Sequence, residues 1–413
     1  MQQILDKVLN EIKPSKEEEL ERKKKIDLIL KKIKSKEFKA ILGGSGAKGT
    51  WLKKVNDADI FVCFNYPRYK DKSDQISNIL EKHLKKKFKK LYNYHGSRDY
   101  FQIRDDNFTY EIVPILEIKK PEQAKNITDI SPLHAKWVTK YKKFKDDILL
   151  TKQFCKANNI YGAESHINGF SGYICEIITI HYKGFLNLLK AASRWNDKVI
   201  IDTERYHKGK DVIFELNKSK TECPLIVIDP VQASRNAAAA ISIEKFEIFK
   251  KAAKLFLKSP SENLFQKKEF SLENLKKQSK NKNLVVLEFD LKQEKQDILG
   301  CKVIKVIDLI KQKLEKQGFT VYKTGFDLEN DKAIGFLILK DEILEKEKIH
   351  PGPPLSKANF VSIFKTKYKK TFVKNKMIYA KVKRDFVKAE DLIISEIKNK
   401  FDKRIKSIRI KNV

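Results

Sequence analysis

The segment Gly43-Gly44-Ser45-Gly46-Ala47-Lys48-Gly49-Thr50, followed by Asp57-Ala58-Asp59-Ile60, restricts the fold of this chain more than any other. Phe38-Lys39-Ala40-Ile41-Leu42 before it reads as a strand, and Asp59-Ile60-Phe61-Val62-Cys63-Phe64 after it as a second. The glycines let the backbone turn sharply into a short helix, and the amides of Gly44 to Ala47 can cradle phosphate. Alternate residues of a strand point to one face. Asp57 and Asp59 therefore project together beside the mouth of the turn. Nucleotidyl transfer needs charge neutralised on both the attacking and the leaving oxygen, which two divalent ions about 3.5–4 Å apart can do. Mg²⁺ takes carboxylate oxygens together with substrate phosphates. A phosphate-binding turn beside paired carboxylates points to that chemistry.

A third carboxylate is expected nearby. Tyr100-Phe101-Gln102-Ile103-Arg104 and Phe108-Thr109-Tyr110-Glu111-Ile112-Val113 read as a hairpin closed by Asp105-Asp106-Asn107. Glu111 alternates with Tyr110 and Ile112, so it faces away from them, toward Asp57 and Asp59. Ser45 and Lys48 supply a hydroxyl and a positive charge to the phosphate-binding turn.

The remaining pattern sets an α+β, multidomain class. Ser15-Lys16-Glu17-Glu18 is a capping box before an N-terminal helix. Residues 73 to 90 read as a Lys-rich amphipathic helix. From about Pro132 to Leu257 the period is helical, with helices over Asp146–Ala157, Gly172–Tyr182 and Ala237–Leu257. Lys258 to Lys282 is polar and reads as a linker or boundary. Beyond it, Leu284–Phe289, a helix over 300 to 317, and strands near 319 to 326 and 333 to 340 form a β-α-β-β unit. His350-Pro351-Gly352-Pro353-Pro354 reads as a rigid loop. The expected domains are residues 1–138, 139–257 and 283–413, with 258–282 between the last two.

Charge limits the partners. The chain carries 87 basic and 54 acidic residues, a formal net charge of +33. Such an excess favours polyanions through phosphate contacts and counterion release. Only ten of the basic residues are Arg, a skew that an AT-rich genome also produces. Residues 361 to 413 hold 17 basic and 5 acidic residues, interleaved with Phe364, Tyr368, Phe372, Tyr379 and Phe386. That suits a surface tracking an RNA backbone and stacking on exposed bases. No apolar run approaches the roughly 20 residues of a membrane span, and no apolar signal-peptide core opens the chain, so a cytoplasmic protein is expected. The five cysteines are dispersed with no CxxC pair, which indicates neither a zinc site nor a disulfide framework.

Turn, carboxylate pair and later strand carboxylate together resemble the DNA polymerase β-like nucleotidyltransferase superfamily. Five blocks narrow the resemblance: Gly44 to Leu52, Ser131-Pro132-Leu133-His134-Ala135-Lys136-Trp137-Val138, Ile160-Tyr161-Gly162-Ala163-Glu164, Gly169 to Glu176, and Pro224 to Val231 continued by Arg235-Asn236-Ala237-Ala238. In that order they resemble the archaeal-type, class I tRNA CCA-adding enzymes. The resemblance implies a polymerase β-like head, a helical middle domain and an α/β body and tail. It implies template-independent addition of C, C and A to tRNA from CTP and ATP, and a homodimer. By similarity Asp57, Asp59 and Glu111 hold Mg²⁺, Ser45 and Lys48 contact the triphosphate, and His134, Lys152 and Tyr161 add nucleotide contacts. Arg235 falls where the family has an arginine near the incoming base. Lys48 stands where some members carry Arg, replacing a bidentate grip by a point charge. Glu111 stands where Asp is frequent, which lengthens the ligand's reach. Two alternatives stay open: another RNA nucleotidyltransferase, of poly(A) polymerase or oligoadenylate synthetase type, and a catalytically silent tRNA-binding protein.

Overall fold

The structure, a computed structural model, describes residues 1–105, 107–267, 270–280, 282–399 and 401–411. The chain divides into two compact units, Met1–Lys268 and Glu269–Val413.

The first unit begins with helices α1 (Gln2–Ile12) and α2 (Lys16–Ile33). The capping box at the start of α2 is formed: the Ser15 hydroxyl accepts from the Glu18 amide, and the Glu18 carboxylate accepts from the Ser15 amide. Strand β1 (Phe38–Leu42), the short helix α3 (Gly44–Lys48) and strand β2 (Asp57–Asn65) follow. Helices α4 (Tyr66–Tyr69) and α5 (Ile76–Lys85) lead to β3 (Tyr92–Tyr94), β4 (Tyr100–Asp105) and β5 (Phe108–Glu117). The helix expected over 73 to 90 is thus shorter, because the chain must turn back after Lys85 to bring β3 beside β4. Asp106, in the expected hairpin turn, lies outside the described residues.

These strands form one mixed sheet in the order β1-β2-β5-β4-β3. The period-2 pattern divides its faces. Ala58, Ile60, Val62 and Phe64 of β2, with Tyr110 and Ile112 of β5, pack on Ile26, Ile29 and Ile33 of α2 and Ile76, Leu80 and Leu84 of α5. The other face carries Phe61, Cys63 and Ile115 at one end and the carboxylates at the other. Only one face is roofed by α2 and α5, so polar groups are tolerated on the second.

Helices α6 (Ser131–Thr139), α7 (Lys145–Ala157), α8 (Gly172–His181) and α9 (Phe185–Ala192) come next. Then follow β6 (Val199–Ile201), α10 (Val212–Glu215), α11 (Lys218–Thr221), β7 (Leu225–Val227) and α12 (Ile243–Lys258). Helices α6–α9 and α12 and the strands β6 and β7 share a core with α1, which contributes Leu5, Val8 and Ile12, whereas Val212 of α10 packs with Leu216, Ile226 and Ile228 in a small cluster of its own. The parallel pair β6–β7 departs from the helical period of this region. The third helix starts six residues later than its alanines suggest. The Asn236 side chain accepts from the Val227 and Ala238 amides, Ala237 donates to Val227, and Ser242 caps α12 instead. The polar stretch after residue 258 is partly ordered structure: a 3₁₀ turn over Glu262–Phe265 buries Phe265 in this core.

The second unit opens with α13 (Leu272–Gln278), also within the expected linker. Strand β8 (Asn283–Leu291), helix α14 (Gln296–Gln317), β9 (Val321–Glu329) and β10 (Lys332–Leu339) follow the expected β-α-β-β order. After them come β11 (Glu347–Pro354), α15 (Ala358–Lys367), β12 (Thr371–Lys374), β13 (Met377–Lys383), α16 (Ala389–Ile397) and β14 (Ile405–Lys411). One antiparallel sheet runs β14-β8-β10-β9, a second β11-β13-β12. The Pro-rich segment at 350–354 is therefore edge-strand rather than loop. Proline cannot donate to a ladder, and an edge strand has one side on which no donor is needed.

Candidate active site

Strands β2 and β5 run parallel, with Asp57 opposite Thr109 and Asp59 opposite Glu111. The three carboxylates therefore share the face of the sheet opposite α2 and α5. Asp57 is exposed; Asp59 and Glu111 are half-buried. Gln102, paired with Glu111 across β4 and β5, donates to Glu111 Oε1 at 2.7 Å and fixes that side chain.

The glycine turn lies directly on Asp59. The Gly43 amide donates to the Asp59 carbonyl at 2.7 Å. Gly44 has φ +52°, and a Cβ there would lie 1.6 Å from Asp59 Oδ2. Only glycine leaves room for that carboxylate. One expectation about the turn needs correction. The Ala47 amide is used inside the turn, donating to the Gly43 carbonyl at 2.9 Å, so it is not available to a phosphate. Ser45 stands half-buried on the first turn of α3.

Burial pushes the Asp59 carboxyl up to about 6, reinforced by Glu111 and Asp57 and partly offset by Lys48 and Arg22. Three carboxylates on one face form a hard-oxygen donor set, and the repulsion that Asp59 feels from the other two is what a divalent cation would relieve. The donor chemistry fits such an ion.

A second cluster is built on Glu176 of α8. Its Oε2 accepts from Lys48 Nζ at 2.6 Å and its Oε1 from Lys152 Nζ at 2.7 Å. The buried Thr50 hydroxyl donates to the same Oε1 at 2.6 Å. Lys152 Nζ also donates to the Thr50 carbonyl and hydroxyl, at 3.1 and 3.0 Å. Glu176 is fully buried, which alone would raise its pKa; Lys152 and Lys48 outweigh that and draw it down to about 2. Burial depresses the Lys152 pKa, opposed by Glu176. Tyr161 adjoins this group: a Cβ on Gly172 would meet the Tyr161 hydroxyl at 2.8 Å and Lys152 Cε at 3.6 Å. Lys156 Nζ lies 5.1 Å from the centre of the Tyr161 ring.

A third cluster is built on the buried Asp229. Arg235 Nη1 donates to its Oδ2 at 2.6 Å, His134 Nε2 lies 3.1 Å from the same oxygen, and the Tyr173 hydroxyl donates to Oδ1 at 3.1 Å. Burial works against ionisation here too, yet His134, the Val231 amide and Arg235 bring Asp229 down to about 2. Tyr173 joins the clusters: its ring stacks on His134 with centroids 4.2 Å apart, and Lys48 Nζ lies 5.7 Å from its centre.

Apart from Ser45, on the first turn of α3, the candidates named from sequence thus fall into three adjoining groups: Asp57, Asp59 and Glu111; Lys48, Lys152 and Tyr161; and His134 with Arg235. Sequence reasoning does not single out the hubs Glu176 and Asp229, although each is a lone carboxylate in an otherwise apolar run. It also misses Arg22. That residue is buried, donates to the Val55 carbonyl at 2.8 Å and to the Asp57 carbonyl, and stacks 4.3 Å from the Trp51 ring centre. Its signal is position: Arg22 is in helical register with Ile26, Ile29 and Ile33, on the apolar stripe of α2.

Residues 23–134 match the nucleotidyltransferase domain, residues 146–266 the second domain of tRNA nucleotidyltransferases, and residues 280–410 the C-terminal domain of CCA-adding enzymes. Among solved structures, a Cid1 poly(U) polymerase with Mg and 3′-dATP bound has a TM-score of 0.52 at 17% identity, covering 64% of this chain and 98% of that one. A cytoplasmic RNA terminal U-transferase has a TM-score of 0.51 at 16% identity, covering 65% and 100%. At that identity the likeness establishes the fold alone, a nucleotidyltransferase head with a helical partner region. Relatives of known name are nearer. A CCA-adding enzyme of Nanoarchaeum equitans is 39% identical over 345 residues, covering 83% of each chain. One of Methanocaldococcus jannaschii is 30% identical over 404 residues, covering 95% of this chain and 90% of the relative. Similarity of that extent, running through all three matched domains, places the chain in the CCA-adding enzyme family.

Proposed function

We infer that this protein completes tRNA 3′ ends, adding C, C and A without a nucleic-acid template from CTP and ATP, with pyrophosphate released at each step. The observation that carries the mechanism is the register of β2 on β5, which sets Asp59 opposite Glu111 beneath Gly44. Asp57, Asp59 and Glu111 would hold Mg²⁺. When bound, the ion supplies charge neutralisation at the reacting phosphate and at the departing pyrophosphate.

The chain's own groups do the rest. Lys48 and Lys152 place positive charge where a triphosphate enters, and Ser45 and Tyr161 offer hydroxyls at its edge. The hydrogens of Lys152 Nζ already reach Thr50 and Glu176, so its contribution is mainly charge. His134 and Arg235, both held by Asp229, stand one tyrosine ring away from Lys48 and suit the nucleoside side of the substrate. Catalysis then belongs to residues 1–138, nucleotide and tRNA contacts to 139–257, and further tRNA contacts to 283–413. For the last, α15 presents exposed Phe360 and Ile363 among Lys357, Lys365 and Lys367, a surface suited to backbone phosphates and base faces. A homodimer in the cytoplasm completes the proposal, resting on the resemblance; among the described residues, no helix is long and apolar enough to cross a membrane.

The test is incorporation of labelled CTP, then ATP, onto tRNA lacking its last three nucleotides. Extension by two C and one A, abolished by chelation and restored by Mg²⁺, is expected. Extension of unstructured RNA by A alone would contradict the reading.

A further inference from the structure

We propose that Glu176 is a positioning residue for nucleotide binding, its buried carboxylate holding the Lys48 and Lys152 ammonium groups side by side at the triphosphate end of the cleft. This rests on the reading of those two lysines as triphosphate contacts. Lys48 comes from the turn after β1 and Lys152 from the middle of α7, far apart in the chain. They meet only through Glu176, at 2.6 and 2.7 Å, with Thr50 closing the ring.

The charge count gives the arrangement its use. Two ammonium groups share one carboxylate, so the cluster is left with one net positive charge. The excess lies at the Lys48 end, which retains 11% side-chain exposure against 3% for Lys152 and none for Glu176. A polyanionic ligand is the natural complement of that surplus. Glu176 also favours the charged form of Lys152, against the effect of burial. An ammonium this deeply buried loses its proton readily without an opposing charge. Lys152 is faced by Glu176 and Cys175 from α8, by Lys48 from α3, by Lys156 on its own helix, and by the Tyr161 hydroxyl, which borders Gly172 together with it. Of these, Glu176 is the carboxylate, and it hydrogen-bonds Lys152 Nζ directly at 2.7 Å.

Steady-state kinetics of Glu176→Gln, Glu176→Asp, Lys48→Ala and Lys152→Ala, with CTP and ATP at saturating tRNA, test the proposal. For Glu176→Gln, KM for both nucleotides should rise about tenfold to a hundredfold, as expected for disturbed charge-assisted contacts, with kcat within about threefold. That KM should also rise more steeply with pH than the wild-type KM does, because Lys152 loses its proton more readily without the opposing carboxylate. Glu176→Asp keeps the charge and should show a smaller, pH-independent rise. It also decides the matter if Glu176→Gln does not fold. Wild-type nucleotide KM in a folded Glu176→Gln protein, or in Glu176→Asp when the amide variant does not fold, would overturn the proposal. So would a loss confined to kcat. Wild-type KM in both lysine variants would instead refute the reading of the lysines as triphosphate contacts.

Discussion

Replacing Gly44 by alanine tests the geometry at its tightest point. The added Cβ would sit 1.6 Å from Asp59 Oδ2, whereas real Cβ atoms do not approach heavy atoms closer than 3.0 Å. The carboxylate, the turn or both must therefore move by about 1.4 Å or more. Misplacement by about 1 Å in a reacting array can cost about 10²-fold in rate. The left-handed conformation, φ +52°, adds about 1–2 kcal/mol for a residue with a side chain. Spread over a unit of this size, that lowers Tm by only about 2–8 °C. The expected result is a folded protein whose single-turnover rate of CTP incorporation falls by about 10²–10³-fold. Gly46→Ala is the internal comparison. Its nearest neighbour would be the end of the Leu42 side chain, at 3.0 Å, with no positive φ, and its loss should stay within about tenfold. Near-wild-type turnover by Gly44→Ala would refute the placement of the turn on a catalytic carboxylate. A rate loss that merely tracks the fraction unfolded would refute it equally.

Asp59→Asn should reduce turnover by at least about 10³-fold without lowering Tm measured in a chelator, because it removes one of three crowded like charges; circular dichroism melts beside the activity assay check both. Arg22→Lys should cost about 1–3 kcal/mol of stability and about tenfold in kcat, since a lysine cannot hold the Val55 and Asp57 carbonyls together while stacking on Trp51; thermal melts and kcat report it. Acid should destabilise the first unit in a defined window. Glu176 is drawn from 4.5 to about 2, and Asp229 from 3.8 to about 2. Both pKa values are depressed by folding, so their stabilisation is complete above about pH 4.5 and is lost as pH falls toward 2. Glu176 alone accounts for roughly 3 kcal/mol of that, and urea melts between pH 5 and 2 should show a shallower slope in Glu176→Gln.

The carboxylate face is legible because a strand has a period of 2. Asp57, Asp59 and Glu111 need only the pattern around each to be placed on one side, and the parallel pairing of β2 and β5 then sets two of them opposite. The Gly44 requirement is legible as a turn but not as a steric demand, since the contact with Asp59 crosses a β-α-β segment. Glu176 and Asp229 are legible only as anomalies. A carboxylate in an apolar run announces a partner, but the partners, Lys48 for one and Arg235 with His134 for the other, come from elsewhere in the fold. The errors share a cause. The alanines at 237–240 and the prolines at 351–354 have strong local preferences, and tertiary hydrogen bonds override them, through Asn236 in one case and an edge-strand ladder in the other.

The central claim, that three strand carboxylates serve a template-independent polymerase of tRNA ends, is met most directly by sequencing product 3′ termini. Purified protein is given tRNA lacking its last three nucleotides, all four nucleoside triphosphates and Mg²⁺. Termini of C, C, A with no further growth are expected, and no product from Asp59→Asn. Homopolymeric or mixed tails, or equal extension of unstructured RNA, would contradict the claim.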